Sequence, residues 1–235
     1  MARTVENIKD LNDSKYLWKL AVLVKDLWVV NNQKGVKHVE MVLTDKMGHD
    51  IQVIVPADLK DKFKDMLAEN TTFTVENFYV EKNNLPIKCS AHPFKLVFSS
   101  ATLIEDVNEP KIPHPGFKFV DFYDIKQGQL PPDVVVDVIG VFHELGYTQT
   151  VPGARKIQIN FKLKDLKTEW GHTIILIHNA KIKEATERYE LGVSNAWNAT
   201  RVYINDDIAP INEFRKTPAV ASKSKLQVLV NTFTA

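Results

Sequence analysis

Cysteine and long apolar runs are almost absent from this sequence, and each shortage excludes a class of protein. The single cysteine, Cys89, cannot form a disulfide within the chain or build a cysteine-based zinc site, so we expect a reducing compartment. No apolar run approaches the roughly 20 residues that a membrane-spanning helix needs. The charged amino terminus lacks the apolar core of a secretory signal, which predicts a soluble protein that is not exported by that route.

Motifs of catalysis are missing as well. The sequence has no phosphate-binding loop, no dinucleotide glycine pattern and no nucleophile elbow. The segment from His143 to Tyr147 begins like the helix of a zinc peptidase, but Tyr147 stands where the second histidine ligand is needed. We therefore predict a protein that is not an enzyme, with no cofactor, no metal site, no small-molecule substrate and no membrane partner.

A strong charge of either sign is also lacking, because 30 basic residues face 29 acidic ones for a formal net charge of +1. Proteins that bind nucleic acid usually carry a clearly basic domain, so here any attraction must come from local charge. Residues 151–190 hold a local basic excess, and no acid follows Phe214. The basic segment 217–235 fits either a solvated tail or a phosphate-contacting arm, and the tail is the preferred interpretation.

Alternation of apolar and polar residues is the main structural signal that is present. It predicts a hairpin over residues 38–56, with a turn at Gly48, and a preceding strand over 17–30 that bends near Asp26. Residues 57–69 have helical spacing. Later strands are predicted at 72–81 and at 87–90 with 94–98. Five strands with a helix between the third and fourth is the order of the OB-fold, a Greek-key barrel that binds oligonucleotides or oligosaccharides.

The same pattern restarts after a proline-rich segment. Residues 134–142 repeat the first strand and 156–166 the second, with Trp170-Gly171 at the hairpin turn. Residues 173–185 and 189–205 follow without an intervening helix. Either the second barrel lacks its third strand and helix, which is the simpler interpretation, or one strand serves in place of two.

The predicted fold class is therefore mainly all-β, with two tandem OB-fold barrels, a short helix in the first and an apparent truncation of the second. The predicted divisions are a first OB domain at 1–107, an extended linker at 108–127, a second OB domain at 128–216 and a basic carboxy-terminal tail at 217–235.

Four segments carry a family resemblance across residues 14–216, in the same order along the chain. They are EMVLTDKMGHDIQVIVP (40–56), HPFKLVFSSAT (92–102), VVVDVIGVF (134–142) and VSNAWNATRVYINDDIAPINEFR (193–215). Together they resemble the tandem OB domains of the large subunit of replication protein A, most closely its plant relatives. The resemblance implies single-stranded DNA binding in replication, repair or recombination, a nuclear location and association with other replication protein A subunits.

The resemblance also implies sites, since the family stacks aromatic side chains on bases and lines the groove with basic residues. The stacking positions fall at about Pro56 and Val75 in the first barrel and at Ala185 in the second, and none is aromatic. A basic contact falls at Lys181 and a polar one at Gln52. The full set of predicted contacts is Trp28, Lys34, Lys37, Gln52, Phe78, Lys82, Lys88, Arg155, Lys156, Lys181, Lys183, Arg188 and Trp197.

Each aromatic candidate also has a structural interpretation. Trp28 and Trp197 can pack into the core, and only one of the adjacent residues Phe78 and Tyr79 can face solvent. The missing stacking residues and the neutral charge favour a rival hypothesis, in which the chain is an OB-fold module that binds protein partners, or a degenerate copy with weak or no DNA binding.

Overall fold

The predicted hairpin is present in the computed structural model of the chain, as β2 (Lys37–Thr44) and β3 (Asp50–Val55). Gly48 takes a φ of 77° in the turn between them, a conformation that glycine adopts without strain. The structure describes residues 3–15, 17–31, 35, 37–107, 112–113, 116–146, 149–150, 156–165, 173–187, 190–216 and 225–233. The chain divides into two units, Met1–Gly116 and Phe117–Ala235.

The first unit is a curled sheet in the order β5-β6-β3-β2-β1-β4-β7. Its other strands are β1 (Lys19–Asn31), β4 (Thr72–Glu76), β5 (Tyr79–Lys82), β6 (Phe94–Val97) and β7 (Leu103–Asp106). β3 and β6 are parallel, and the other pairs are antiparallel. The predicted bend in β1 is confirmed by a register shift between Val24 and Asp26.

Three details of the first unit differ from the prediction. The strand predicted at 72–81 is broken, because Asn77 takes a φ of 60° between β4 and β5. The predicted helix is only a 3₁₀ turn followed by α1 (Lys60–Phe63), which is anchored by Phe63 against Phe98 with ring centroids 5.2 Å apart. Residues 87–90 form no strand, because they lie in a loop over residues 83–93 that bonds to the hairpin instead.

The second unit contains a closed barrel. Its elements are α2 (Phe122–Lys126), β8 (Val136–Leu145), β9 (Gln149–Thr150), β10 (Lys156–Lys164), β11 (Ile174–Lys183), β12 (Gly192–Asn195), β13 (Arg201–Ile204), α3 (Ala209–Lys216) and β14 (Lys225–Phe233). The barrel closes in the order β8, β10, β14, β12, β11 and back to β8. The prediction of a mainly β protein with OB-type barrels is confirmed.

The prediction of a solvated tail at 217–235 is wrong for β14, and so is the prediction of a missing third strand. β14 pairs antiparallel with β10 and parallel with β12, as β3 pairs with β2 and β6 in the first unit. Leu226 and Val228 alternate with polar residues and are buried in the barrel core. The carboxy-terminal segment therefore supplies the third strand of the second barrel.

The linker predicted at 108–127 is also too long. Phe122 and Ile125 of α2 are buried in the core of the second barrel. Phe119 forms a parallel bridge with Asp137 of β8, as residue 6 does with residue 20 of β1. These apolar anchors make residues 117–126 part of the second unit, and the boundary falls at Gly116.

Strand registers allow the two units to be compared residue by residue. Asn77, between β4 and β5, and Asn179, within β11, are at equivalent positions of the two units and have positive φ values of 60° and 54°. Beside them, Lys19 pairs with Glu76 at 2.6 Å in the first unit, whereas Asp137 pairs with His178 at 2.7 Å in the second. The two units thus share a fold, but the carboxylate of the pair lies on β4 in the first unit and on β8 in the second.

Candidate functional site

The outer surface of the second barrel carries a continuous set of basic and polar side chains, which we call the second-barrel band. In strands, alternate residues face the core and the outside, and here Leu163, Leu226 and Ile182 face the core. Their neighbours therefore face outward. The band consists of Glu144, Asn160, Lys162, Lys164, Lys181, Lys183, Ser194, Lys225 and Gln227, of which Asn160 is buried.

Strand pairing places these residues beside one another. Lys162 lies opposite Gln227 on β14, and Lys164 lies opposite Lys225. On the far side of β14, Gln227 lies opposite Gly192 of β12, which lies opposite Lys183 of β11. Neighbouring strands are about 4.8 Å apart, so Lys162, Lys164 and Lys225 lie close together on β10 and β14. Lys181 and Lys183 lie on β11, which is separated from β14 by β12.

One carboxylate tempers the charge of this band. Glu144 lies opposite Lys162, and the two side chains form an ion pair of 2.9 Å. The hydrogen bond from Lys162 lowers the pKa of Glu144, and the same bond raises the pKa of Lys162. Burial lowers the pKa of Lys183. The Glu144–Lys162 pair thus stays charged at neutral pH, with Glu144 offsetting part of the positive field.

His143 stands next to the band, at the irregularity where β8 shifts register against β10. Burial lowers the pKa of His143, and the charges of Lys164 and Lys225 lower it further. The imidazole is therefore neutral at pH 7 and gains its proton only in more acidic solution.

The approach of β12 to β14 depends on Gly192. A Cβ atom at this position would lie 2.1 Å from the carbonyl oxygen of Gln227 and 2.9 Å from its carbonyl carbon. The side chain of Gln227 donates a hydrogen bond to Asn160 across the strand pair. Gln227 is thus held in place by its neighbours in the band.

The equivalent surface of the first barrel, the first-barrel band, has the opposite charge. It consists of Asp26, Trp28, Glu40, Val42, Thr44, Asp50, Gln52, Ile54, Tyr79, Glu81, Lys95 and Val97. Gln52 takes the place of Gln227, but Asp50 replaces Lys225 and Glu40 replaces Asn160. Carboxylates therefore dominate the face that is basic in the second barrel.

The polar groups of the first-barrel band are occupied by contacts within the unit. The backbone N–H of Cys89 donates to Oε1 of Gln52 at 3.0 Å, and Nε2 of Gln52 donates to Glu40 at 3.1 Å. Ser90 Oγ donates to the carbonyl of Asp50 at 2.6 Å. The loop over residues 83–93 thus covers this face, and Gln52 is fully buried.

The structure corrects three predicted contacts in the first barrel. Trp28 is only 8% exposed and Phe78 only 4%, so neither can stack on a base, because both rings are packed in the unit. Gln52 cannot reach a ligand, since the 83–93 loop occupies its amide. Tyr79, by contrast, is 60% exposed and lines a cleft of about 290 Å³ with Leu17, which confirms that only one of the adjacent aromatics faces solvent.

The predicted lysines are divided between the two units. Lys37 and Lys82 are exposed at strand ends of the first unit, and Lys88 is half-buried in the 83–93 loop. Lys181 and Lys183 both belong to the second-barrel band. Four further candidates cannot be placed in this way: Lys34, Arg155 and Arg188 lie outside the described residues, as does the side chain of Lys156.

Trp197 begins a 3₁₀ turn, Trp197–Ala199, but its side chain also lies outside the described part of the structure. Lys162, Lys164 and Lys225 were not among the predicted contacts. Their signal was present as alternation with apolar residues in 159–164 and 225–230, but their proximity depends on pairing between distant strands. Within the described residues there is no cluster of metal ligands and no helix long and apolar enough to span a membrane.

Comparisons with known proteins agree with this fold. A model of the family described as "Domain of unknown function DUF223" matches residues 9–128. No curated protein matches the chain. A chain from the structure of a replication protein A heterotrimer bound to ssDNA is 19% identical, with a TM-score of 0.54 over 90% of this chain and 54% of that one.

Two other solved structures are more distant. DNA-binding domain A of S. cerevisiae replication protein A is 20% identical, with a TM-score of 0.37 over 46% of this chain and 97% of that one. The p202 HIN1 domain in complex with a 12-mer dsDNA is 11% identical, with a TM-score of 0.44 over 83% and 98%. This chain spans about half the length of the heterotrimer chain, and that likeness establishes a shared fold.

Proposed function

The chain belongs to the family described as domain of unknown function DUF223, and from that starting point we propose that it binds single-stranded DNA along its second-barrel band. The observation that carries the proposal is the set of five outward-facing lysines on three strands of one barrel, Lys162 and Lys164 on β10, Lys225 on β14, and Lys181 and Lys183 on β11. The replication protein A heterotrimer that contains the chain of shared fold is bound to ssDNA in its own structure.

Binding of this kind depends on phosphate contacts. The second-barrel band has no aromatic member, so the bases have no stacking platform there among the described residues. Each missing stack costs on the order of 1–3 kcal/mol of affinity. We therefore expect weak binding that has little sequence preference and depends strongly on salt.

The first barrel supports a second candidate function, the binding of a protein partner. Its band carries the carboxylates of Asp26, Glu40, Asp50 and Glu81. Lys95 pairs with Glu81 at 2.8 Å, and Lys25, beside the band, pairs with Asp50 at 3.4 Å. These carboxylates repel phosphates, and the 83–93 loop already covers part of the face. The proposal therefore assigns nucleic acid to the second barrel alone.

The sequence resemblance supports a wider proposal about biological role. By that proposal the chain is a plant-type relative of the replication protein A large subunit. It acts in the nucleus, in DNA replication, repair or recombination, and other replication protein A subunits are its partners. Imaging of the tagged chain and its copurification with purified replication protein A subunits would test this role; exclusion from the nucleus would contradict it.

The direct test is a fluorescence anisotropy titration of labelled oligo-dT at several salt concentrations. With Lys162 held in its ion pair with Glu144, the other four lysines predict a slope of about −2.8 for log K against log salt, since each contact on a single strand contributes about −0.7. Reversing two charges with Lys164→Glu and Lys225→Glu should lower the affinity at every salt concentration and reduce the slope by about 1.4.

Two control pairs sharpen this test. Lys9→Glu with Lys46→Glu reverses exposed charges outside both bands and should leave the slope unchanged. Lys37→Glu with Lys82→Glu reverses the predicted contacts of the first barrel and should also have little effect. Absence of binding by the unmodified chain at low salt would refute the proposed function.

A further inference from the structure

The third strand of the second barrel has an unusual origin in the chain. In the first unit, β3 lies between β2 and α1 along the sequence, so both of its ends are connected to other elements of the same barrel. In the second unit, the same position is filled by β14, which follows every other element of the unit. No described strand of the unit follows β14, so its removal interrupts the chain between no two other described strands of the barrel.

Removal of β14 would leave the other four barrel strands paired. β10 pairs with β8, β8 with β11 and β11 with β12, so they form one continuous sheet. The gap lies between β10 and β12, whose backbone edges now bond to β14. An open gap would also expose the apolar core residues that pack against Leu226 and Val228, which are both buried. The gap thus has the backbone edges and the apolar floor to bind an extended strand.

We propose that this gap is a strand-binding site that also accepts β14 from a second copy of the chain, which gives a strand-exchanged dimer. A β14 strand from a second copy makes the same hydrogen bonds and apolar contacts as the chain's own β14. The free energies of the monomer and the exchanged dimer therefore differ mainly by the entropy of association, which depends on protein concentration. The exchange itself does not depend on the proposed function.

Exchange has a consequence for the nucleic-acid site, and this part does rest on the proposed function. Lys225 and Gln227 belong to β14 and lie opposite Lys164 and Lys162. In the dimer, each second-barrel band would combine its own β10 lysines with the partner's Lys225 and the partner's Gln227. Two complete bands would then be held in one particle.

Two full-length variants test the exchange by complementation. Val228→Asp places a charge at a core position of β14, so this variant has an open gap but a strand that cannot dock. Gly192→Val closes the gap, because even a Cβ atom there would meet the backbone of Gln227 at 2.1 Å, so this variant keeps a competent strand without a site for it. Control variants are Val202→Asp at a 39% exposed position, and Gly116→Val, where an added Cβ meets nothing within 4 Å.

Each variant alone should lose binding of oligo-dT. An equimolar mixture should form a 1:1 heterodimer by light scattering, with one complete second barrel and therefore half the wild-type binding capacity per chain. A mixture that stays monomeric and inactive, while the wild-type chain binds oligo-dT, would overturn the exchange. A heterodimer that forms although neither it nor the wild-type chain binds oligo-dT would support the exchange and refute the proposed function.

A second measurement covers the case in which a variant fails to fold. Isotopically labelled and unlabelled wild-type chains are unfolded, mixed, refolded at increasing concentration and analysed by native mass spectrometry. Mixed dimers should appear and increase with concentration. Monomers alone at the highest concentration would overturn the proposal.

Discussion

Truncation of Leu226 to alanine tests whether the carboxy-terminal strand is a structural part of the second barrel. Leu226 has no exposed surface and pairs with Leu163 of β10, which is also fully buried. A buried Leu→Ala change costs about 2–5 kcal/mol, because the lost methyl groups leave a cavity. Since every 1.4 kcal/mol is tenfold, opening of this barrel should become roughly 30-fold to several thousand-fold more frequent.

Native-state amide hydrogen exchange measures this effect strand by strand. Protection should fall on β10 and β12, the two strands that flank β14. Leu96→Ala is the matched control, since Leu96 is equally buried in β6 of the first unit and should lower protection there instead. Unchanged protection of β10 and β12 in Leu226→Ala would refute the assignment of β14 to the barrel.

Three further predictions follow from single side chains. The pKa of His143 lies below its usual 6.5, so the folded state favours the neutral imidazole. Its contribution to the free energy of unfolding is fully present above pH 6.5 and is lost as the pH falls, whereas the affinity for oligo-dT should rise with the added positive charge. The variant His143→Gln should abolish both effects in pH titrations. Glu144→Gln releases Lys162 from its ion pair, so anisotropy should show tighter binding and a salt slope steeper by about 0.7, and weaker binding would contradict this. Asn77→Val should cost on the order of 1–2 kcal/mol in denaturant unfolding because of its positive φ, and Asn77→Gly should cost less.

The hairpin of β2 and β3 shows what local sequence can predict. Its two strands and the turn at Gly48 follow from alternation within 20 neighbouring residues, and the structure places them within one or two residues of the prediction. The restart of the pattern after Gly116 was also visible. Local periodicity identifies strands, but it does not say which strands pair.

β14 shows where this reasoning ends. Residues 225–228 alternate between polar and apolar side chains, yet the expected order of the fold left no place for a strand after α3. Its assignment depends on pairing with β10, more than 60 residues earlier in the sequence. Basic composition therefore favoured a tail where the structure has a central strand.

The candidate site was only partly predictable for the same reason. Lys181 was found through the family resemblance and Lys183 through the basic excess of residues 151–190, but Lys164 and Lys225 become neighbours only through strand register. The sequence also does not show which of the predicted contacts are buried. Gln52 matched a polar contact of the family, and only the three-dimensional path of the 83–93 loop shows that its amide is already occupied.

The carboxylate of the pair between the first and fourth barrel strands is Glu76 on β4 in the first unit and Asp137 on β8 in the second. This difference affects which strands can pair when the tandem repeat folds. Two similar barrels in one chain can exchange equivalent strands during folding, a common error of repeated domains. If β1 paired with β11, Lys19 would lie beside His178, and if β8 paired with β4, Asp137 would lie beside Glu76. The second error places two carboxylates together and the first separates Lys19 from Glu76, so both wrong pairings are less favourable than the native ones.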